Sequence, residues 1–256
     1  MKNKTAVIIL AAGLGKRMES DRAKVLHEVL GKAMILHVLE TAKAIAGNNL
    51  IVVVGYQAEV VRKKISEAFD VKFAYQTEQL GTAHAVKCAI PHLSKNIENI
   101  IILCGDVPLI SSNTLKELFQ YHVEAERDIS ILAVDVDDPT GYGRIIMDES
   151  GNVSGITEEA DATSDEKTIK TINSGIYCVR KEYLLKTINK IRPDNVQEEY
   201  YLTDVIEIAY NENKSVGAVV GRCQEEVIGV NSKQDLKMAE NFMQVLAGKK
   251  LNPRQH

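Results

Sequence analysis

The chain has 256 residues, of which 45% are hydrophobic and 26% are charged, and its formal net charge is −4. A chain of this length buries enough surface to fold without disulfides or a structural metal. The charge is acidic and the Lys and Arg residues are spread along the sequence, which does not favour a nucleic-acid partner. No apolar run approaches the roughly 18 residues of a membrane helix, so we expect no membrane partner.

The four cysteines form no CxxC pair, and three of them lie in apolar runs. A free cysteine in such a run behaves as a small hydrophobic residue. We therefore expect reduced cysteines in a cytoplasmic protein. The start MKNKTAVIIL is basic and then apolar, and it runs straight into AAGLG without a cleavage context. It indicates a first strand rather than a signal peptide.

Apolar, β-rich runs alternate with helical patterns through the first half of the chain. The runs predict strands at 5–10, 50–54, 71–75, 100–103 and 129–134. The helical patterns cover 34–46, 57–68, 82–90 and 113–125. Continuous apolar strands separated by helices are typical of a parallel sheet that is buried on both faces. The first half therefore predicts a Rossmann-like α/β fold with a doubly wound, mostly parallel sheet.

The pattern changes near Pro139. The sequence then predicts short strands at 143–147 and 152–157, and a polar, mobile segment at 158–170. Further on it predicts strands at 172–179 and 216–220, and helices at 182–190, 201–210 and 234–246. We interpret this half as a small lobe that is added to the same sheet.

The loop LAAGLGKRM directly follows the first strand. Its glycines, Gly13 and Gly15, allow a ligand to approach the backbone, and free N–H groups in such a loop bind anions. Arg17 adds positive charge. Met18 stands where the GxGxxG motif needs a third glycine, and a Walker A loop would need GK[ST]. On glycine content alone, a structural strand-to-helix turn explains the loop almost as well.

Two further strings follow strands in the same half. In IILCGDVP, Asp106 stands at the carboxyl end of a strand, where ligands of open α/β sheets bind. A carboxylate there can hold a magnesium ion that bridges phosphates, although an ordinary turn before Pro108 is the plain alternative. In QTEQLGTAHA, Gln76 and Gly81 can contact a nucleobase edge. We leave His84 out of the site, because a histidine on a helix face is more often structural.

Polar residues of the second half form weaker candidates. Gly143 in TGYGR would let a sugar approach the backbone, and Glu158 and Asn173 can bind sugar hydroxyls. Asn231 in GVNS is a plausible amide ligand for magnesium. An asparagine just before a helix is also a common N-cap.

These strings occur in the order LAAGxGxRM, KVLH, QxxLGTAHA, GDVPL, YGRI, E-x-x-DA, IN-[ST]-G-I, EYYLTD and GVN. From about Thr5 to Asn231 the chain resembles the uridylyltransferase domain of bifunctional N-acetylglucosamine-1-phosphate uridylyltransferases/acetyltransferases. The resemblance implies transfer of UMP from UTP to a sugar 1-phosphate, which gives UDP-N-acetylglucosamine, a cell wall precursor, and pyrophosphate. The partners it implies are small molecules, and the sequence does not indicate an oligomeric state.

The resemblance also implies residue roles. Nucleotide contacts fall on Leu10, Ala11, Ala12, Gly13, Gln76, Gly81 and Thr82. Arg17 would hold the triphosphate tail and Lys24 would steady the phosphates at the reacting centre. The implied Mg²⁺ ligands are Asp106 and Asn231, and the implied sugar contacts are Gly143, Glu158 and Asn173. We expect a nucleotidyltransferase domain over 1–231, divided into nucleotide-binding (1–138) and sugar-binding (139–231) parts, followed by a helix and tail over 232–256.

The chain departs from the family pattern at three positions. Ala23 and Ala33 replace prolines, and because proline fixes φ we expect a more mobile loop around Lys24. Ala160 replaces a lysine, so a cation near the sugar is missing and a different sugar 1-phosphate stays an alternative. A binding protein that has lost catalysis is a second one. The sequence carries no hexapeptide repeat before His256, so we expect no acetyltransferase activity.

Overall fold

A nine-stranded sheet forms the centre of the molecule, and a short two-stranded ribbon lies beside it. The computed structural model describes residues 4–251. Its strands are β1 (Thr5–Ala11), β2 (Glu28–Val29), β3 (Lys32–Ala33), β4 (Leu50–Val54), β5 (Lys72–Tyr75), β6 (Asn99–Cys104), β7 (Ile129–Asp135), β8 (Arg144–Met147), β9 (Val153–Thr157), β10 (Thr171–Arg180) and β11 (Val216–Val220).

The main path of the sheet runs β11-β7-β10-β6-β1-β4-β5. Strand β10 is antiparallel to both neighbours, and every other pairing along the path is parallel. The β8–β9 hairpin attaches to β10 through the pair Ile172 and Arg144. The predicted mostly parallel sheet with an added lobe is confirmed.

The helices are α1 (Met34–Ala46), α2 (Ala58–Ser66), α3 (Thr82–Ala89), α4 (Ser112–Glu124), α5 (Lys181–Thr187), α6 (Asp204–Asn211) and α7 (Lys233–Leu251). They cover both faces of the sheet. Alternate residues of one strand therefore belong to different core clusters, one on each face. In β1, Val7 and Ile9 belong to one cluster and Ile8 to the other. Among residues 4–251, no helix combines the length and apolarity that crossing a membrane requires.

Several local features differ from the sequence-based expectation. The ribbon of β2 and β3 was not predicted; its two-residue turn has positive φ at both Leu30 (52°) and Gly31 (74°), as hairpin turns favour. The predicted helix at 201–210 begins only at Asp204. The polar segment at 158–170 folds around Glu166, whose carboxylate accepts hydrogen bonds from Thr163 and Thr157.

The C-terminal helix α7 is longer than predicted and packs beside the ribbon. A small cluster of buried residues joins them, with Ala239 of the helix against Val29 and Met34. The last residues of the predicted tail, 252–256, lie outside the described residues. The helix begins just after Asn231, so its position fixes that of Asn231.

Candidate active site

A cavity of about 590 Å³ lies at the carboxyl edge of the parallel strands. The loops after β1, β5 and β6 meet there, as the strand order requires. The structure brings together in this cavity every residue predicted for the nucleotide, the phosphates and the metal: Leu10, Ala11, Ala12, Gly13, Arg17, Lys24, Gln76, Gly81, Thr82, Asp106 and Asn231.

The two glycines of the first loop have different roles. A Cβ on Gly13 would meet no atom within 4 Å, so this part of the loop is open to the cavity. Gly15 has a φ of +63°, and a Cβ there would lie 2.6 Å from Cβ of Lys24. Glycine at position 15 therefore serves the close approach of the loop to Lys24, and the backbone at Gly13 is the surface offered to a ligand.

Four side chains from distant parts of the chain converge beside this loop. The Lys24 ammonium pairs with the Asp106 carboxylate and donates a hydrogen bond of 2.6 Å to Oδ1 of Asn231. Arg17 donates to the same Oδ1 at 2.8 Å. The side chains of Lys24 and Asp106 are 13% and 22% exposed, so the ion pair is only partly screened by water.

The N-cap alternative for Asn231 is wrong, because another residue performs that role. The Ser232 hydroxyl accepts a hydrogen bond from the N–H of Asp235, and the Asp235 carboxylate accepts one from the N–H of Ser232. This reciprocal pair is a capping box at the start of α7. The side chain of Asn231 is therefore available to the cavity.

The oxygen donors of this cluster suit a magnesium ion. Oδ2 of Asp106 and Oδ1 of Asn231 both contact the Lys24 ammonium, so they already converge on one positive charge. Within residues 4–251, no group of three His, Cys, Asp or Glu side chains is arranged for a metal. Mg²⁺ accepts few protein oxygens and completes its shell with water and phosphate, so this donor set fits an ion held jointly with a phosphorylated substrate.

The loop between β5 and α3 forms the far side of the cavity. Nε2 of Gln76 donates to the carbonyl oxygen of Gly81 at 3.0 Å and lies 3.1 Å from Nδ1 of His84. Gly81 has a φ of +108°, and a Cβ there would lie 2.5 Å from the carbonyl oxygen of Tyr200. His84, which was left out of the predicted site, lies on the first turn of α3 and contacts Gln76.

The predicted sugar residues lie together, outside the lining of the cavity. A Cβ on Gly143 would be 3.2 Å from Oε2 of Glu158, and the N–H of Asn173 donates to the carbonyl of Gly143 at 2.8 Å. Burial raises the pKa of Glu158. The amide of Asn173 is engaged internally, with the Tyr177 hydroxyl and the Gly175 N–H. Its backbone and its neighbours, rather than a free amide, thus shape this region.

Cys104 contacts both the cavity and strand β10, which carries Asn173. It lines the cavity at the end of β6, and its Sγ is 3.7 Å from the carbonyl oxygen of Gly175. Burial raises the pKa of the Cys104 thiol to about 12, which keeps it protonated. A protonated thiol is a poor nucleophile, so we assign Cys104 no covalent role.

The loop before Lys24 is tied to α2 at the position where the resemblance expects proline. The N–H of Ala23 donates to Oε1 of Gln57 at 2.9 Å, and Nε2 of Gln57 donates to the carbonyl of Asp21 at 2.6 Å. Proline could not donate the first of these bonds. This hydrogen bond between Ala23 and Gln57 restrains the loop, and the expectation of greater mobility around Lys24 did not take it into account.

A second cavity, of about 610 Å³, lies at the amino edge of the sheet. Its basic residues are already engaged: Arg180 donates to the carbonyl of Glu126, and Lys181 donates to that of Ser94. None of the residues predicted for the nucleotide, the phosphates or the metal lines this second cavity, and the loop with Gly13 and Gly15 lies at the other one. The cavity at the carboxyl edge is therefore the candidate active site.

Comparisons with known proteins identify the family of the chain. The nucleotidyl transferase family model matches residues 6–225. The bifunctional protein GlmU of Caldanaerobacter subterraneus is 50% identical over 237 residues, which are 92% of this chain and 51% of that protein. GlmU of Desulfotalea psychrophila is 41% identical, with 95% of this chain and 72% of that protein covered. The chain thus spans about half the length of several of the curated relatives it matches.

A solved structure shares the fold. HddC of Yersinia pseudotuberculosis, in a complex with GMP-PN, has a TM-score of 0.69 and 22% sequence identity, and the match covers 93% of this chain and 99% of that one. At this identity the likeness is one of fold alone. Because the family model covers most of its length, the chain belongs to the nucleotidyl transferase family.

Proposed function

We propose that this chain transfers UMP from UTP to N-acetylglucosamine 1-phosphate and releases pyrophosphate. The observation that carries the proposal is the convergence of Arg17, Lys24, Asp106 and Asn231 at one edge of the sheet. Two cations and two oxygen donors are the groups that a triphosphate and a magnesium ion need. A protein that only binds a sugar nucleotide has little use for the whole set.

In the proposed reaction a phosphate oxygen of the sugar 1-phosphate attacks the α-phosphorus of UTP in line. The bond from that phosphorus to the bridging oxygen breaks, and pyrophosphate leaves. Such a reaction depends on positioning and charge neutralisation rather than on a covalent nucleophile. Arg17 and the backbone at Gly13 would hold the triphosphate, and Lys24 would donate to an oxygen at the reacting centre.

Asp106 and Asn231 would hold a Mg²⁺ ion, which neutralises phosphate charge when bound. In the structure the Lys24 ammonium occupies the place between their two oxygens. Release of Lys24 from these oxygens would free its ammonium for the phosphates. The proposal therefore assigns Lys24 two alternative sets of partners, one without substrate and one with it.

The base site offers groups that complement uracil. The N–H of Gly81 has no acceptor among the residues that the structure describes. Gln76, a residue that is 4% exposed, lies beside it, with its amide nitrogen bonded to the Gly81 carbonyl. Uracil carries both a donor, N3–H, and carbonyl acceptors, so one donor and one acceptor of the protein would satisfy its edge.

The sugar site is proposed at Gly143, Glu158 and Asn173. Ala160 is exposed, and a lysine there would have supplied a cation to this region. That departure motivates a second candidate, the same transfer to a different sugar 1-phosphate, although the similarity to GlmU proteins does not favour it. The proposed division into a nucleotide part (1–138), a sugar part (139–231) and a C-terminal segment (232–256), and the cytoplasmic location, stay part of this proposal.

One assay tests the reaction and both substrates. The protein is incubated with magnesium, each of the four NTPs or dTTP, and a panel of sugar 1-phosphates, and pyrophosphate release is measured. We expect the fastest release with UTP and N-acetylglucosamine 1-phosphate. Absence of release from every pair would refute the enzyme, and preference for another sugar would support the second candidate.

A matched pair of variants tests the metal site. Asp106→Ala is expected to abolish turnover and to leave the thermal midpoint within a few degrees of the original. The control is Asp70→Ala, since Asp70 is an exposed carboxylate that precedes β5 at the opposite edge of the sheet. The control is expected to turn over normally. Near-normal turnover in Asp106→Ala would remove Asp106 from the proposed metal site.

A further inference from the structure

The amide of Gln76 has one orientation that its neighbours permit. A backbone carbonyl oxygen only accepts hydrogen bonds, so the Gln76 atom 3.0 Å from the Gly81 oxygen must be the amide nitrogen. The reverse orientation would place two oxygens in contact. This fixes Nε2 toward the protein, and it leaves Oε1 as the other end of the amide.

The second hydrogen of that nitrogen faces His84. Nε2 of Gln76 lies 3.1 Å from Nδ1 of His84. Since the amide nitrogen can only donate, Nδ1 must accept, and His84 is then neutral with its proton on Nε2. The surroundings of the His84 Nε2 atom agree with a proton at that position, because this atom lies 3.9 Å from the sulfur of Cys88, a weak acceptor. His84 thus engages the second hydrogen of the Gln76 amide.

With both hydrogens engaged, Gln76 presents only an acceptor to the cavity that it lines. Its Oε1 accepts no hydrogen bond from the described part of the chain, residues 4–251. At ring position 3, uracil carries an N–H donor, whereas cytosine carries an acceptor nitrogen. If the amide were flipped, it would present its NH₂ group to the base, and it would no longer distinguish the N–H of uracil from the acceptor nitrogen of cytosine.

We infer that His84 is a positioning residue that selects uracil over cytosine by holding the Gln76 amide with its oxygen toward the base. The inference rests on the proposed use of a uridine nucleotide by this site. His84 lies on α3 and contacts Gln76 rather than the substrate. Its effect therefore falls on the choice between UTP and CTP, not on the chemistry at the phosphorus.

Three variants of His84 separate positioning from packing. His84→Leu removes the acceptor, and we expect the preference for UTP over CTP, as a ratio of kcat/KM, to fall roughly tenfold. The oxygen of Asn reaches about as far as Nδ1 of His, so His84→Asn is expected to keep most of the preference. The oxygen of Gln lies nearer to the position of Nε2, so His84→Gln is expected to behave like Leu.

The control is His37→Leu, because His37 is another half-buried helix histidine that binds a backbone carbonyl, that of Val29. It does not line the cavity, and its variant is expected to keep the original preference. The change in His84→Leu is expected in KM for the nucleotide, with a much smaller change in kcat. Calorimetric affinities for UTP and CTP, with magnesium present, give the same ratio without turnover.

The outcomes distinguish this inference from the proposed function. If the unchanged protein releases no pyrophosphate with UTP, the proposed reaction fails, and the calorimetric preference still decides the role of His84. An unchanged preference in His84→Leu would overturn the inference. If that variant does not fold, equal preferences in His84→Asn and His84→Gln would overturn it, and retention by Asn alone would support it.

Discussion

Gln57 is expected to hold the loop that carries Lys24. Its amide accepts a hydrogen bond from the Ala23 N–H and donates one to the Asp21 carbonyl. The substitution Gln57→Ala removes both bonds and little else. Gln57 has a φ of 51°, a conformation that costs Ala and Gln alike, and its side chain makes no cap hydrogen bond to α2.

The magnitude follows from the two bonds. A net hydrogen bond contributes about 0.5–1.5 kcal/mol, and one of these two is exposed, so the variant should lose about 1–2 kcal/mol of unfolding free energy. For a chain of this size each kcal/mol lowers the thermal midpoint by about 2–4 °C. Because Lys24 follows Ala23 directly, kcat/KM for UTP is expected to fall several-fold.

A second substitution makes the test specific. Ala23 has a φ of −50°, close to the value that proline fixes. In the Gln57→Ala background, Ala23→Pro sacrifices no bond and stiffens the unfolded chain, so it should recover about 0.4–1 kcal/mol. In the original background the same proline removes the bond to Gln57 and should be neutral or destabilising.

Urea unfolding of the four proteins, fitted with a common slope, gives the coupling between the two positions. Equal effects of Ala23→Pro in both backgrounds would refute the role assigned to Gln57. So would a Gln57→Ala variant with the original midpoint and the original KM for UTP.

Three other substitutions have clear expectations. Gly81→Ala should cost about 2 kcal/mol or more in urea unfolding, because its φ is +108° and the new methyl group would meet the backbone of Tyr200. Burial, with the charges of Glu207 and Glu158, raises the pKa of Asp204 to about 6. Its folded pKa exceeds the unfolded one, so its ionisation destabilises the protein as pH rises from about 4 to 7; relative to Asp204→Asn, the original should gain about 1 kcal/mol between pH 7 and pH 5. Ser232→Ala removes a cap and should lower the unfolding free energy by about 1 kcal/mol, measured by the same method.

The sheet could be predicted from sequence because its strands are continuous apolar runs. Leu50–Val54 is buried at every position, and its bounds match the expected ones. The start of α6 was predicted wrongly for a physical reason. Leu202 fits the apolar period of a helix, but its N–H donates instead to the hydroxyl of Thr82, a partner 120 residues away.

The position of the cavity was also predictable, since the carboxyl ends of parallel strands meet at one edge. The contacts within it were not. The capping box was visible as the string SKQD after Asn231, but no local pattern shows that Lys24 would lie between Asp106 and Asn231. The roles assigned to these residues stay predictions until the assays above are done.

The backbone at Gly81 has a consequence for how this site can change. The N–H of Tyr200 donates to the carbonyl of Leu80, and the carbonyl of Tyr200 accepts from the N–H of Ala83. These two hydrogen bonds join the loop that is proposed to bind the base to a segment of the other half of the chain. A substitution that reshapes one side must be matched on the other, so nucleotide choice and sugar choice are expected to evolve together rather than one at a time.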